Sequence, residues 1–241
     1  MSEIKYEMNI NFRTNDFDSD DYITPTAILS LFQDIAGLHA NHLNLGFKDC
    51  YNMGYYWVLV RNKFEIFKNP TPLTKGRLET WPHEKGRVDF NREYALYDEF
   101  GDIIARGLSK WVLIDIEKRR IARTDNISYG DGEYASFNYY QDVEKVVLPD
   151  IKLFKHVASH TVLKRDLDHN KHMNNSKYTD IIFDVIPNDI KINKLNIEYI
   201  KEVKLNDIID IYEYSDGLYI YHLGLSGENK IFASIIEKDI K

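Results

Sequence analysis

Hydrophobic and polar positions alternate over residues 4–12, where Ile4, Tyr6, Met8, Ile10 and Phe12 are separated by polar neighbours. That spacing predicts a strand with one buried face. The acidic run from Asp16 to Asp21 breaks it. Thr24-Pro25 then has the form of an N-cap followed by proline at the first helical position. Ala27, Ile28, Leu31, Phe32, Ile35, Ala36 and Leu38 follow at helical spacing, with Gly46 as the expected stop. Beyond it the period becomes that of strands, at residues 55–67, 77–81, 88–97 and 103–116. Pro70 and Pro72 end the first of these, Gly86 precedes the third, and residues 98–102 read as a hairpin loop. One helix among about four such strands does not suit alternating strand–helix units. A curved antiparallel sheet wrapped around one apolar helix does.

Residues 117–155 are less regular. Gly130 and Gly132 lead into an aromatic stretch from Tyr134 to Tyr140, and Pro149 closes the segment. The aromatics argue for a linker that packs across its neighbours and against a free tether. The earlier pattern then recurs: a strand over 156–164, a helix over 175–186 ended by Pro187, and strands over 194–200, 208–214, 218–225 and 231–236. Individual residues recur too. Asp16-Phe17-Asp18 precedes Asp166-Leu167-Asp168 by 150 positions, and Phe64-Glu65-Ile66-Phe67-Lys68 parallels Ile197-Glu198-Tyr199-Ile200-Lys201. The expected organisation is an N-terminal domain over 1–125, a linker over 126–155 and a C-terminal domain over 156–241. In this alignment Asn170 and His172 stand opposite Asp20 and Tyr22. The imidazole is present in one copy only, so one active site is expected, in the second repeat.

Composition narrows the function classes. A formal charge of −7 disfavours a nucleic-acid backbone as ligand, although Lys118, Arg119, Arg120 and Arg123 form a local basic patch that reads as a solvated strand end. A single cysteine, Cys50, excludes an internal disulfide and a Cys-rich zinc site. No apolar signal segment or run of eighteen apolar residues occurs, so a cytoplasmic protein without stable membrane insertion is expected. His39 and His42 lack a third ligand nearby and read as packing or helix-dipole residues.

The densest chemistry lies in Asp166-Leu167-Asp168-His169-Asn170-Lys171-His172-Met173-Asn174-Asn175. His172 can exchange protons near neutral pH. The Asn170 carboxamide can donate to a developing oxyanion or hold a water, and Asp168 can orient His172 or polarise that water. His169 is expected to point away from Asn170, and Asn174 or Asn175 to cap the following helix. Cys50 has no activating base beyond Lys48, Ser176 lacks a nucleophile elbow, and phosphate loops are absent. These parts suit acyl transfer or hydrolysis by an activated water. Glu202, just after the strand at 194–200, either faces a ligand or is a solvated edge residue.

That motif, continuing through Tyr178, resembles the acyl-[acyl-carrier-protein] thioesterases of plants and their bacterial relatives. So do Trp57-Val58-Leu59-Val60-Arg61, Arg92, Ser109-Lys110-Trp111-Val112-Leu113, Lys118-Arg119-Arg120 and Leu195 to Val203. The resemblance implies an α+β tandem (double) hotdog fold and hydrolysis of a fatty acyl thioester on acyl carrier protein, with no cofactor or metal. It implies catalytic roles for Asp168, Asn170, His172 and Glu202. Val203 stands where the family often has cysteine, so that thiol is missing here and water is favoured, with an acyl-enzyme through Glu202 or Asp168 as the other route. It further implies an acyl tunnel lined by the helix face around Ala27 to Leu38 and by Trp57, and an acidic carrier protein as partner for the basic patch. Alternatives are an acyl-CoA thioesterase on the same fold and a non-catalytic acyl-binding module. Both a closed monomer and a homodimer are compatible with two covalently joined repeats.

Overall fold

The computed structural model describes residues 3–238 except His169 and Asn188. The first half runs β1 (Tyr6–Asn11), a 3-10 turn (Thr14–Asp16), α1 (Pro25–His42), α2 (Phe47–Asn52), β2 (Tyr55–Ile66), β3 (Lys75–Pro82), β4 (Asp89–Asp98), β5 (Ile103–Asp115) and a short β6 (Arg120–Ile121). The second half runs β7 (Lys155–Thr161), a 3-10 turn (Lys164–Asp166), α3 (Lys177–Phe183), β8 (Lys194–Tyr199), β9 (Ile208–Ser215), β10 (Tyr219–Ser226) and β11 (Asn229–Glu237). All sheet neighbours are antiparallel, in the order β1-β3-β4-β5-β2-β8-β11-β10-β9-β7, with β6 pairing β5. The first half thus supplies five strands of this path and the short β6, the second half five, and the two join at the β2–β8 seam.

Thr24 caps α1 by accepting the Ala27 N–H at 3.2 Å, with Pro25 in the first turn. The helix buries Ala27, Ile28, Leu29, Phe32, Ile35, Ala36 and His39. Phe32 stacks on Tyr94 at 4.4 Å, and Gly107 leaves it room, since a Cβ there would lie 2.3 Å from the Phe32 ring. The helix stops at His42 rather than running on to Gly46. Asn44 turns the chain with φ 55°, and Gly46 instead begins α2, its N–H held by the Asp49 carboxylate at 3.1 Å. A six-residue helix is too short to carry a readable apolar period. Likewise α3 is shorter than the expected 175–186. Its last turn tightens, with the Val185 N–H donating to the Ile182 carbonyl, as Pro187 approaches.

The repeat is written into the hydrogen bonds. Lys63 and Asn196, 133 positions apart, face each other directly across β2 and β8. The ion pairs Arg61–Glu198 (3.0 Å) and Lys194–Glu65 (3.3 Å) are each other's counterparts at the same offset. Phe67 and Lys68 both donate to the Ile104 carbonyl, as Ile200 and Lys201 both donate to that of Ile231. Ahead of the helices the offset is 150: Arg13 N–H to Asp16 and Leu163 N–H to Asp166, Thr24 N–H to the Asp16 carbonyl and Asn174 N–H to the Asp166 carbonyl. The fall from 150 to 133 means that the first half carries seventeen extra residues between the helix start and the central strand. They build the second half of α1, the turn at Asn44 and α2.

The aromatic segment after β6 is packed down on the outer face of the sheet. Trp81 Nε1 donates to Asn138 (3.0 Å), and the Tyr140 N–H to the buried Glu93 carboxylate (2.8 Å). Lys63, Arg61 and Asn196 then donate to the carbonyls of Asp142, Val143 and Glu144, so the segment crosses the seam from one half to the other. Among the described residues no helix is long and apolar enough to cross a membrane.

Candidate active site

The turn before α3 is organised by Asp168. Its Oδ1 accepts the backbone N–H groups of Asn170 (2.8 Å) and His172 (3.2 Å), and its own N–H donates to the His172 carbonyl at 2.8 Å. Lys171 takes φ 66° to let the chain fold back. Asp168 therefore acts on the His172 backbone and not on its ring. Asn170 Nδ2 lies 3.5 Å from Asp168 Oδ2 and the residue is exposed. The Met173 N–H donates to the Val203 carbonyl (3.0 Å) and His172 bridges to Lys204, which ties the turn to the segment just beyond β8. In consequence His172 Nδ1 lies 3.4 Å from Glu202 Oε2. Asp168, Asn170, His172 and Glu202 thus come together at one place, while His169 lies outside the described residues.

All four line one cavity of about 880 Å³. It runs from these residues across the seam into the first half, under the roof made by the extra segment. Trp57, Phe90 and Trp111 form an apolar wall, with Trp57 edge-on to Phe90 at 4.9 Å. On α1 the lining differs from the expected one. The apolar stripe from Ala27 to Ile35 is spent on the core, and the cavity meets the small residues Ala36, Gly37 and Ala40, the polar Gln33, Asp34 and Asn41, and Leu38, which is 43% exposed. The seam places Tyr199 in this wall as well, its hydroxyl donating to the Asn175 carbonyl at 3.1 Å. Nothing in its strand pattern marked it. Burial pushes both the Tyr199 and Tyr178 phenols upward, so they remain neutral.

The first half holds a backbone copy of the turn at Asp168. Asp18 Oδ1 accepts the N–H groups of Asp20 and Tyr22, both at 2.9 Å, and Asp21 takes φ 58°. Its side chains are closed off by Lys191, whose ammonium lies 3.1 Å from Asp18 and 2.8 Å from Asp20, and 5.1 Å from the Tyr22 ring centre. Burial alone would raise the Asp18 carboxyl. The Tyr22 N–H, Lys191 and the Asp20 N–H outweigh it and hold the group below the usual carboxylate value. At the offset of 133 the counterpart of Lys191 is Val58, which lines the open cavity, and the counterpart of Glu202 is Asn69, spent on the Ile23 N–H and the Asp21 carbonyl. One copy is open and the other is filled.

Cys50 is fully buried, its Sγ 3.2 Å from the Leu45 carbonyl, and burial pushes its pKa up to about 11, so the thiol is a packing group. His39 is also buried, stacked on Tyr6 and bonded to Arg92. Burial, with the Arg92 charge and His42, lowers its pKa to about 3, which leaves it neutral and makes it a packing residue.

The description "Acyl-ACP thioesterase N-terminal domain" matches residues 3–128 and "Acyl-ACP thioesterase C-terminal domain" matches residues 154–236. The chain belongs to the acyl-ACP thioesterase family. It is similar to oleoyl-acyl carrier protein thioesterase 2, chloroplastic, of Arabidopsis thaliana, with 28% identity over 78% of this chain and 56% of that protein. The oleoyl-acyl carrier protein thioesterase of Coriandrum sativum is 26% identical over the same shares. The chain thus spans a little over half the length of these curated relatives. Among solved structures, an acyl-ACP thioesterase from Bacteroides thetaiotaomicron superposes with a TM-score of 0.91 at 21% identity, covering 99% of this chain and 100% of that one. The 12:0-ACP thioesterase from Umbellularia californica gives 0.87 at 19%, covering 100% and 99%. These likenesses establish the double hotdog fold.

Proposed function

We propose that this protein hydrolyses the thioester of a fatty acyl group carried on acyl carrier protein, releasing a free fatty acid and ending chain elongation. The observation that carries the reading is the meeting of Asn170, His172 and Glu202 at one end of an apolar cavity that spans both halves. Membership in the family supports it. With the Glu202 carboxylate 3.4 Å from Nδ1, the proton of the neutral ring is favoured on that side and Nε2 is left as the base. Water attacks the thioester carbonyl carbon, its proton passes to Nε2, and the oxyanion is met by the Asn170 carboxamide. Collapse breaks the C–S bond, and His172 returns the proton to the leaving sulfur. Asp168 positions both partners through their backbones. Its Oδ1 is committed to two N–H groups, which disfavours an acyl-enzyme at that residue. In this reading residues 1–125 hold the acyl chain, 156–241 supply the chemistry and 126–155 fasten the two together. The partner is a carrier protein in the cytoplasm, and no cofactor is required.

The test is hydrolysis of acyl-carrier-protein and acyl-CoA thioesters of graded length by the wild type and by His172→Ala and Asn170→Ala. Turnover on the carrier protein that collapses in both variants supports the assignment. Turnover confined to CoA esters would replace the carrier, and the absence of turnover on either would remove the activity.

A further inference from the structure

At the other end of the cavity the wall is not apolar. Arg92 on β4 lines it and is 8% exposed. β4 is separated from β8 by β5 and β2, so Arg92 sits about three strand spacings, roughly 14 Å, from the strand leading into Glu202. Its guanidinium has no carboxylate partner among the described residues. Nη1 reaches His39 Nδ1 at 2.9 Å and Thr80 Oγ1 at 3.3 Å, and both of those partners are uncharged acceptors. The guanidinium carries five N–H donors, and the others have no protein acceptor among the described residues. A buried cation in this condition keeps water, or takes an acceptor from a ligand.

We propose that Arg92 is a specificity-determining residue that reads the polarity of the far end of the acyl chain. The inference rests on the acyl-binding reading above. A plain methyl end that reaches Arg92 must strip its water and gives nothing back, so alkyl chains are limited to lengths that stop short of it. A chain of the next length ending in a hydroxyl oxygen replaces that water with a charge-assisted hydrogen bond and is admitted. The substrate class therefore includes acyl groups oxygenated at the end remote from the thioester.

Binding tests this without turnover, so it stands apart from the hydrolytic assignment. Trp57 and Trp111 line the cavity, and their fluorescence reports occupancy. Fatty acids of increasing length and their ω-hydroxy counterparts are titrated into the whole protein. In the wild type, alkyl affinity rises with length and then drops, and at the first failing length the ω-hydroxy acid binds at least about tenfold more tightly than the alkyl acid. Arg92→Met moves the alkyl limit outward and abolishes the hydroxyl preference, whereas Arg92→Lys retains part of it. If ω-hydroxy acids bind no better than alkyl acids at every length in the wild type, the proposal is overturned, whether or not the Met variant folds. Unchanged length and end-group preferences in a folded Arg92→Met overturn it equally.

Discussion

His172 Nδ1 lies 3.4 Å from Glu202 Oε2, although thirty positions separate the two residues. The contact exists because the turn holding His172 is pinned by its backbone to the Val203–Lys204 segment. If Glu202 fixes the ring tautomer and stabilises the imidazolium, Glu202→Gln removes the charge and nearly keeps the shape. Its kcat is expected to fall about 100-fold with KM close to the wild-type value, and His172→Ala to fall further. Steady-state kinetics on an acyl-carrier-protein substrate decides it. A Gln variant with full kcat takes Glu202 out of the mechanism.

Asp168 is separable from that pair because its bonds run to the main chain. Asp168→Asn retains an oxygen that accepts the N–H groups of Asn170 and His172, so folding stability is expected to change little. Asp168→Ala leaves both N–H groups without their acceptor and is expected to cost about 1–3 kcal/mol, together with most of the activity. Thermal unfolding of the two variants, read beside their kcat, separates the positioning role from a direct one. If the Asn and Ala variants are equally stable, the turn does not depend on this acceptor.

The alternating and helical spacings located every long element, and the 150-residue recurrence correctly matched Asp20 with Asn170 and Tyr22 with His172. What escaped was set by tertiary context. The Asp166–Asn175 cluster was conspicuous because it is local. Lys191, Tyr199 and Arg92 act through partners 53 to 173 positions away or through the cavity wall, and no local pattern distinguishes them from ordinary strand or loop residues. Of the helix face expected to line a tunnel, only the end around Ala36 to Leu38 reaches the cavity, together with Trp57. The apolar stripe on α1 before Ala36 is consumed by the core, and the face open to the cavity mixes small and polar residues with Leu38.

The buried thiol makes a clean negative control. With its pKa raised to about 11 and its sulfur against the Leu45 carbonyl, Cys50 is expected to resist alkylation at neutral pH in the folded protein and to react on unfolding. Cys50→Ala should hydrolyse acyl thioesters within about twofold of wild type, at a stability cost of about 1 kcal/mol for the lost packing. Rapid loss of hydrolysis when the native protein meets a small thiol reagent would reopen the case for sulfur.

The filled copy of the site gives a pH-dependent stability test. Lys191 bridges two carboxylates, of which Asp18 is nearly buried and Asp20 is exposed. The Asp18 pKa is lowered from 3.8 on folding, so its contribution is present above that value and is lost as pH falls through the lower folded pKa. The Lys191 pKa is raised from 10.5, chiefly by its bond to Asp20, so its contribution is present below 10.5 and is lost as pH rises through the higher folded value. Between those limits Lys191→Met is expected to cost about 1 kcal/mol, because the pair is partly solvated, and to leave kcat unchanged, because Lys191 does not line the open cavity. The deficit should close when denaturant unfolding is repeated below the Asp18 pKa. A deficit that persists there at full size would mean that the Lys191 stem stabilises by packing and the charges contribute nothing.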